Sequence, residues 1–441
     1  MTGLISKPIQ SLRGAARVPG DKSISHRSLM FGALAEGVTT VTGLLEGEDV
    51  LRTAAALTAM GAAIETPAQS GTWRIRGLGS SPLTSPRATV YLGNSGTSAR
   101  LLMGLAGGYA LEAVFTGDDS LSKRPMGRVI KPLSQMGVKF ESEGDKFPLK
   151  IIGSGNLKPI EYTLPVASAQ VKSAILLAGL HAKGRTIVVE PSPTRDHTER
   201  MLRFLGAEVK SELKSDGSNV ITLTGFPALK ARDFTVPSDP SSAAFLTVAA
   251  LITKDSDVVI PNVSINPLRA GIYTTLKEMG ADITFENSRD ASGEPVADIR
   301  VRSSALKGVT VPPERVPSMI DEFPVLSVAA SFASGDTHMS DLSELRVKES
   351  DRLAAIAKGL SQAGVSAEMG EETLTVRGKG KAPDGGCKVM ANLDHRIAMS
   401  FLVMGLASKQ PVSIDDSETI GTSFPGFADL MNSLGAKIGA E

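Results

Sequence analysis

Cysteine is nearly absent from this chain of 441 residues, since Cys387 is the only one. An intramolecular disulfide is therefore excluded, which is typical of a reducing compartment, and we expect Cys387 to be a buried packing thiol. Residues 1–17 lack the apolar core of a signal peptide. No apolar run reaches the about 18 residues of a membrane-spanning helix. We expect a cytoplasmic protein that makes no membrane contact.

Aromatic residues are also scarce, at 4%, and the 47 Lys and Arg residues balance 47 Asp and Glu residues. Few aromatics leave little stacking surface for single-stranded nucleic acid. A net charge of zero gives no general attraction to polyanions. In this sequence the His, Cys and carboxylate residues do not have the spacing of a metal site. The sequence also contains no Gly-x-Ser-x-Gly motif, which would indicate acyl transfer. Any anion site must therefore be a local cluster, and we expect no nucleic-acid partner.

Six similar helix ends recur along the chain. Each is an apolar-periodic segment that ends in a glycine and is followed by a short strand-like stretch, at Gly61, Gly137, Gly206, Gly280, Gly364 and Gly435. A glycine at this position predicts a left-handed residue that terminates the helix. The even spacing indicates six α/β units, although such junctions are common in α/β proteins generally.

Two proline-punctuated segments, 17–21 and 236–242, interrupt the regular pattern. If the chain crosses between lobes at both, one lobe is 21–236 and the other is the discontinuous 1–20 plus 237–441, with three repeats in each. The polar segment 286–295 is predicted to be a surface loop.

Polar clusters stand at the starts of several predicted helices, where free N–H groups and the helix dipole favour anions. They lie at residues 20–27, 92–100, 121–128, 168–173, 195–199, 318–324, 344–352 and 393–399. Lys348 and Arg352 are spaced i, i+4, which predicts that they share one helical face. Taken singly, each cluster is at least as consistent with a capped or solvated helix start as with a binding site. Together they predict a metal-free cleft for two polyanionic ligands, with carboxylates among the cations.

The motifs PGDKSISHRS, GNSGTSAR, KRPMGR, ASAQVKSA, IDEFP, LRVKESDR and DHRIAMS occur here in one order along the chain. In this order they resemble the 5-enolpyruvylshikimate-3-phosphate synthase family, and SAQVKSA and TRDHTE are similar to its second class. The resemblance implies an α/β fold: a two-lobed inside-out α/β barrel in which each lobe has three βαβαββ repeats. It also implies a monomer that needs no cofactor and no metal.

The resemblance further implies transfer of the enolpyruvyl group of phosphoenolpyruvate to the 5-hydroxyl of shikimate 3-phosphate, in chorismate biosynthesis. The substrates would lie in a cleft between the lobes. Shikimate 3-phosphate would be bound by Lys22, Ser23, Arg27, Ser168, Ala169, Gln170, Arg195, Asp321 and Lys348. Phosphoenolpyruvate would be bound by Lys22, Asn94, Gly96, Arg124, Gln170, Arg352 and Arg396.

Catalytic roles follow from charge. Asp321 is the candidate general base on the 5-hydroxyl, and Glu349 the candidate for proton transfer at C3, with Lys22 as a competing acid. The family is a target of glyphosate, and Gly96 leaves room for this inhibitor. The other class carries a Lys before its Thr-Phe-Pro run, whereas residues 421–425 read GTSFP, so one phosphate contact must be missing or supplied elsewhere.

Two other readings remain open. A related enolpyruvyl transferase acts on UDP-N-acetylglucosamine, but that family usually has a reactive Cys ahead of its Arg-Pro segment, and 116–124 contains none. A non-catalytic anion- or RNA-binding repeat protein is the other reading. Zero net charge, few aromatics and the pairing of Asp321 with Glu349 argue against it.

Overall fold

The computed structural model describes residues 3–66 and 71–441 and divides the chain into two compact units. The first unit takes in the chain up to Pro19 together with Pro237–Asp290 and Pro295–Glu441. The second unit is Gly20–Val236 together with Ala291–Glu294. None of the described helices is long and apolar enough to cross a membrane.

The described residues form thirteen α-helices, and most of them begin at a polar cluster predicted from the sequence. They are α1 (Lys22–Leu34), α2 (Glu48–Ala59), α3 (Gly96–Gly107), α4 (Asp119–Lys123), α5 (Gly127–Met136), α6 (Ala169–Gly179), α7 (His197–Phe204), α8 (Pro240–Ile252), α9 (Gly271–Glu278), α10 (Phe323–Phe332), α11 (Arg352–Gln362), α12 (His395–Gly405) and α13 (Phe427–Ser433). Three 3₁₀ turns lie at Pro313–Ser318, Ser343–Val347 and Glu418–Thr422.

Short strands alternate with these helices. They are β1 (Leu4–Ser6), β2 (Arg13–Ala15), β3 (Val38–Thr42), β4 (Ala63–Glu65), β5 (Thr72–Arg76), β6 (Val90–Tyr91), β7 (Glu112–Thr116), β8 (Lys139–Ser142), β9 (Leu149–Ile152), β10 (Glu161–Thr163), β11 (Arg185–Glu190), β12 (Val209–Leu213), β13 (Asn219–Thr224), β14 (Phe234–Thr235), β15 (Asp257–Ser264), β16 (Asp282–Ala291), β17 (Glu294–Arg302), β18 (Ser334–Met339), β19 (Ser366–Met369), β20 (Leu374–Lys379), β21 (Cys387–Val389), β22 (Val412–Ile414) and β23 (Ile438–Ala440).

Each unit builds its strands into three small sheets of one pattern. In the second unit the orders are β14-β3-β5-β4, β6-β7-β9-β8 and β10-β11-β13-β12. The first pair of each sheet is parallel and the other pairs are antiparallel. In the first unit the orders are β2-β15-β17-β16, β21-β22-β1-β23 and β18-β20-β19. The three-stranded sheet keeps a trace of the fourth strand in the parallel bridges of Lys307 with Ser334 and Thr310 with His338.

The six glycines predicted to end helices do so, because each has a positive φ. The angles are +98° at Gly61, +111° at Gly137, +98° at Gly206, +95° at Gly280, +79° at Gly364 and +108° at Gly435. This backbone conformation strains any residue with a Cβ. The strands β4, β8, β12, β16, β19 and β23 begin two or three residues later, which confirms the predicted repeat of helix, glycine and strand.

Each unit has its own apolar core. One cluster of buried side chains is drawn from residues 24–236 and the other from residues 12–18 and 243–438. Helices α1, α3 and α6 are buried along almost their whole length in the second unit, as are α8, α10 and α12 in the first. Their first turns carry the polar clusters, so a hydrophobic helix body fixes a polar N-terminus in place.

Two sequence expectations need correction. The segment 286–295 is not a surface loop, because β16 and β17 run through it as a long hairpin that turns at Ser292 and Gly293. The side chains of this segment are polar, so its pattern did not indicate a strand; β16 forms because it pairs with β17, which has buried side chains. Cys387 packs against the core of the first unit but is only half-buried, and this burial raises the pKa of its thiol.

Candidate functional site

Ten of the predicted site residues lie in the second unit, at or near the N-termini of α1, α3, α5, α6 and α7. The remaining five lie in the first unit: Asp321, Lys348, Glu349, Arg352 and Arg396. The two groups are described separately below as the α1 group and the α11 group.

The α1 group begins where Asp21 caps its helix by accepting a hydrogen bond from the Ile24 N–H at 2.8 Å. This cap fixes the first turn, which presents Lys22 and Ser23. The ammonium group of Lys22 forms an ion pair with Asp49 at the start of α2. Because Asp49 is nearly buried, the pair holds the Lys22 side chain in one direction.

Arg27 lies one turn further along α1 and is 3% exposed. Its Nε donates to Thr198 Oγ1 at 2.7 Å, and its Nη2 donates to Ser173 Oγ at 2.8 Å. Burial, and to a smaller extent the nearby charge of Arg195, lowers the pKa of Arg27 to about 10, although the charge of Glu199 opposes this shift. The group remains a cation at neutral pH, with Arg195 as a second cation close by.

Arg124 follows α4 and is held against the loop before α3. Its Nη2 donates to Asn94 Oδ1 at 2.5 Å and to Ser120 Oγ at 3.1 Å, and its Nη1 donates to the Asn94 carbonyl at 3.3 Å. A Cβ added at Gly96 would lie 3.1 Å from Arg124 Nη1 and 3.0 Å from Arg100 Nη1. Gly96 therefore lets two guanidinium groups approach the first turn of α3.

Gln170 links α6 to α3. Its Oε1 accepts from Arg100 Nη1 at 2.6 Å, and its Nε2 donates to Thr97 Oγ1 at 3.0 Å. Ser168 caps α6 by accepting from the Val171 N–H at 3.4 Å. The amide of Gln170 is thus oriented by its neighbours, and the donors of the α1 group form a fixed array.

The α11 group centres on Arg352, which is 1% exposed and is surrounded by three carboxylates. Its Nη1 donates to Asp321 Oδ1 at 3.0 Å, its Nη2 to Glu349 Oε2 at 2.5 Å and its Nε to Asp394 Oδ2 at 2.8 Å. Burial by itself lowers the pKa of Arg352, but the charges of Asp394, Glu349 and Asp321 outweigh burial and raise this pKa above its usual value. One guanidinium thus positions two candidate acid–base groups.

Arg396 stands in the first turn of α12, beside the same carboxylate. Its Nη1 donates to the Asp321 carbonyl at 3.3 Å, and its Nε lies 4.0 Å from Asp321 Oδ1. Asp394 caps α12 by accepting from the Arg396 N–H at 3.0 Å. Asp321 therefore lies between two arginines.

The prediction that Lys348 and Arg352 share one helical face is wrong. The residues before Lys348 form the 3₁₀ turn Ser343–Val347, Lys348 itself is extended, and α11 begins only at Arg352. Asp351 caps α11 by accepting from the Ala354 N–H at 3.0 Å, so the helix cannot extend back to Lys348. The cap at Asp351 therefore determines where the helix begins, and the i, i+4 spacing does not.

Among the residues that were not assigned a site role from the sequence are Asp49, Arg100 and Asp394. Each acts on a predicted site residue, and its partner lies 27, 70 or 42 positions away in the chain. Asp394 could have been recognised from the sequence as a helix cap, because it directly precedes the helix that begins at His395. The pairing partners could not be read from spacing. Among the described residues, no group of three or more His, Cys, Asp or Glu side chains is placed to hold a metal ion.

Comparison with known proteins gives a consistent result. Residues 6–431 match the family model of EPSP synthase (3-phosphoshikimate 1-carboxyvinyltransferase). A 3-phosphoshikimate 1-carboxyvinyltransferase of Paramagnetospirillum magneticum is 58% identical over 444 residues, covering 99% of each chain. One from a Chelativorans species is 57% identical over 436 residues, covering 98% of this chain and 97% of the other. A solved EPSP synthase structure from Acinetobacter baumannii is 48% identical, with a TM-score of 0.89 and full coverage of both chains.

Proposed function

Since this chain belongs to the EPSP synthase family, we propose that the α1 and α11 groups together carry out the reaction of that family. The enzyme transfers the enolpyruvyl group of phosphoenolpyruvate to shikimate 3-phosphate, in aromatic amino acid biosynthesis. Matches along almost the whole chain favour this activity over a UDP-N-acetylglucosamine transferase or a non-catalytic binding protein.

Shikimate 3-phosphate binds to hydroxyl, amide and cationic groups, which suit a phosphorylated polyol carboxylate. Support comes from the fixed geometry of Arg27, whose guanidinium is held by two hydroxyl groups, and from the oriented amide of Gln170. The full set is Lys22, Ser23, Arg27, Ser168, Ala169, Gln170, Arg195, Asp321 and Lys348.

Phosphoenolpyruvate binds to arginines, whose planar forks match its carboxylate and phosphate. The rigid attachment of Arg124 to Asn94 supports this role. The full set is Lys22, Asn94, Gly96, Arg124, Gln170, Arg352 and Arg396.

The observation that carries the proposed mechanism is that Arg352 donates to both Asp321 and Glu349. Asp321 takes the proton of the 5-hydroxyl while the hydroxyl oxygen bonds to C2 of phosphoenolpyruvate, and C3 receives a proton from Glu349 or Lys22. The resulting tetrahedral intermediate then loses a proton from C3, and the bond between C2 and the phosphate oxygen breaks to release inorganic phosphate. No phosphoryl group is transferred.

Membership of this family is also the basis on which we propose how the two units are built. The two units are the two lobes, 21–236 and 1–20 plus 237–441, and the three sheets of each unit with their helices are three βαβαββ repeats of an inside-out α/β barrel. The repeated parallel and antiparallel strand orders support this assignment. The enzyme acts in the cytoplasm as a monomer, without a cofactor and without nucleic-acid or membrane partners.

The mechanism is tested by replacing the two carboxylates. Asp321→Ala and Glu349→Ala are expected to lower kcat about 10²–10⁴-fold, because a positioned acid or base contributes that much, while the Kd for shikimate 3-phosphate changes far less. Release of inorganic phosphate measures kcat, and calorimetric titration measures the Kd. Asp336→Ala, an exposed carboxylate of the same unit that pairs with Arg377, is the control. Near-wild-type turnover in both variants would show that the acid–base assignment is wrong.

A further inference from the structure

Where α8, α10 and α12 begin, the first unit buries a polar cluster that none of the roles above uses. Its centre is Glu322, the residue before α10, which is 1% exposed. The hydroxyl of Ser241, in the first turn of α8, donates to Glu322 Oε1. Arg269 Nη2 donates to the same hydroxyl oxygen at 3.0 Å, and Asp239, the cap of α8, lies 3.5 Å from Arg269 Nη2.

Glu322 also faces Arg396. Its Oε1 lies 3.8 Å from Arg396 Nη1 and 3.7 Å from Arg269 Nη1. The second carboxylate oxygen, Oε2, is buried and accepts no hydrogen bond from the described residues. A buried carboxylate must be compensated by nearby charge, and Arg269 is shared with Asp239. Arg396 and Arg269 therefore both compensate the carboxylate of Glu322, and Arg396 in turn is drawn toward Glu322.

We propose that Glu322 is a positioning residue that orients the Arg396 guanidinium for phosphoenolpyruvate. The inference rests on the proposed function, in which Arg396 binds this substrate. Arg396 then has two fixed points on its inner side: the Asp321 carbonyl, which accepts from Nη1 at 3.3 Å, and the carboxylate of Glu322. With Nη1 directed inward, the remaining N–H groups of the fork are available in one orientation. Glu322 acts through Arg396 and does not itself contact the substrate.

A purely structural role would have a different signature. If Glu322 only joined three helix starts, replacing it would lower stability and impair both substrates alike. A positioning role predicts an effect on phosphoenolpyruvate alone, and an effect that disappears once Arg396 is gone. These two signatures can be separated by steady-state kinetics.

The test variant is Glu322→Gln, which keeps the size of the side chain and removes its charge. We expect the KM for phosphoenolpyruvate to rise about tenfold, since a small misplacement of a binding group can cost up to about 10²-fold. The KM for shikimate 3-phosphate and kcat should stay within about threefold of wild type. Glu368→Gln is the matched control, because Glu368 is exposed and pairs with Arg377 at 2.9 Å on the surface; its constants should equal those of the wild type.

The Arg396→Ala variant distinguishes a wrong assignment of Arg396 from a wrong inference about Glu322. If it leaves the KM for phosphoenolpyruvate unchanged, the assignment of Arg396 fails and the inference fails with it. If it raises this KM, Glu322→Gln should add nothing in the Arg396→Ala background. Full additivity there, or an unchanged KM in the single Glu322→Gln variant, would overturn the inference alone.

A second variant covers the case in which Glu322→Gln does not fold. Ser241→Ala removes the hydroxyl that donates to Glu322 Oε1 and accepts from Arg269. We expect this variant to fold with a lower Tm, because buried hydrogen bonds are lost, and to raise the KM for phosphoenolpyruvate by about twofold to fivefold. No change in this KM would also overturn the inference.

Discussion

The buried carboxylate Asp394 gives the sharpest prediction, because its replacement can be nearly isosteric. Asp394 is fully buried and accepts from Arg352 Nε at 2.8 Å, from Ser350 Oγ at 3.1 Å and from the Arg396 N–H at 3.0 Å. Asp394→Asn keeps the size and an oxygen that can cap α12. The substitution removes one negative charge from the side of Arg352 and, with the cap kept, replaces the oxygen that accepts from Arg352 Nε by an NH₂ group.

The expected cost follows from the surroundings. A charge pair at 2.8 Å has a gross attraction of about 6 kcal/mol at an effective dielectric constant of about 20. Breaking a buried pair usually costs a net of about 3–5 kcal/mol. Here Asp321 and Glu349 still pair with Arg352, so we expect a loss of about 2 kcal/mol in the free energy of unfolding. For a unit of this size the Tm should fall by about 4–8 °C.

Thermal unfolding followed by circular dichroism measures this effect, and urea unfolding gives the free energy independently. The control is Asp384→Asn, since Asp384 is exposed and pairs with Lys409 on the surface at 2.7 Å. We expect the Tm of the control to stay within about 1 °C of wild type. If Asp394→Asn behaves like this control, Arg352 does not need the third carboxylate and the charge argument is refuted.

Three further predictions concern pH, ligand and inhibitor. His181 packs on Tyr109, and burial lowers the pKa of His181 to about 4. As the pH falls, the unfolded chain therefore takes up this proton before the folded protein does. The free energy of unfolding should decrease between about pH 6.5 and pH 4, by at most about 1.4 kcal/mol per pH unit. His181→Phe should lose less stability over this range in urea titrations, and equal slopes would contradict the assignment. Shikimate 3-phosphate at about 100 times its Kd should stabilise the fold by about 2.7 kcal/mol in excess chelator; calorimetry that shows stabilisation only with added Mg²⁺ would contradict the metal-free site. Gly96→Ala should weaken glyphosate about 5- to 150-fold and phosphoenolpyruvate less, because only the longer inhibitor would meet the added methyl; an unchanged inhibition constant would show that Gly96 is not the determinant.

Much of the local structure was determined by the sequence alone. The glycines at 61, 137, 206, 280, 364 and 435 ended helices as predicted, because a left-handed residue is a local requirement that glycine meets without strain. Helix starts were equally local, since Asp21, Ser95 and Ser168 cap N–H groups only three residues ahead. The ordered motifs also identified the family.

Only the tertiary structure decided which charges meet. Arg352 is surrounded by carboxylates 31, 3 and 42 positions away, and no spacing rule predicts the pairs with Asp321 and Asp394. The hairpin of β16 and β17 was missed for the same reason: its polar strand is held by pairing with a buried neighbour rather than by its own pattern. Burial and long-range pairing depend on the packing of distant segments, whereas caps and turns depend on a few neighbouring residues.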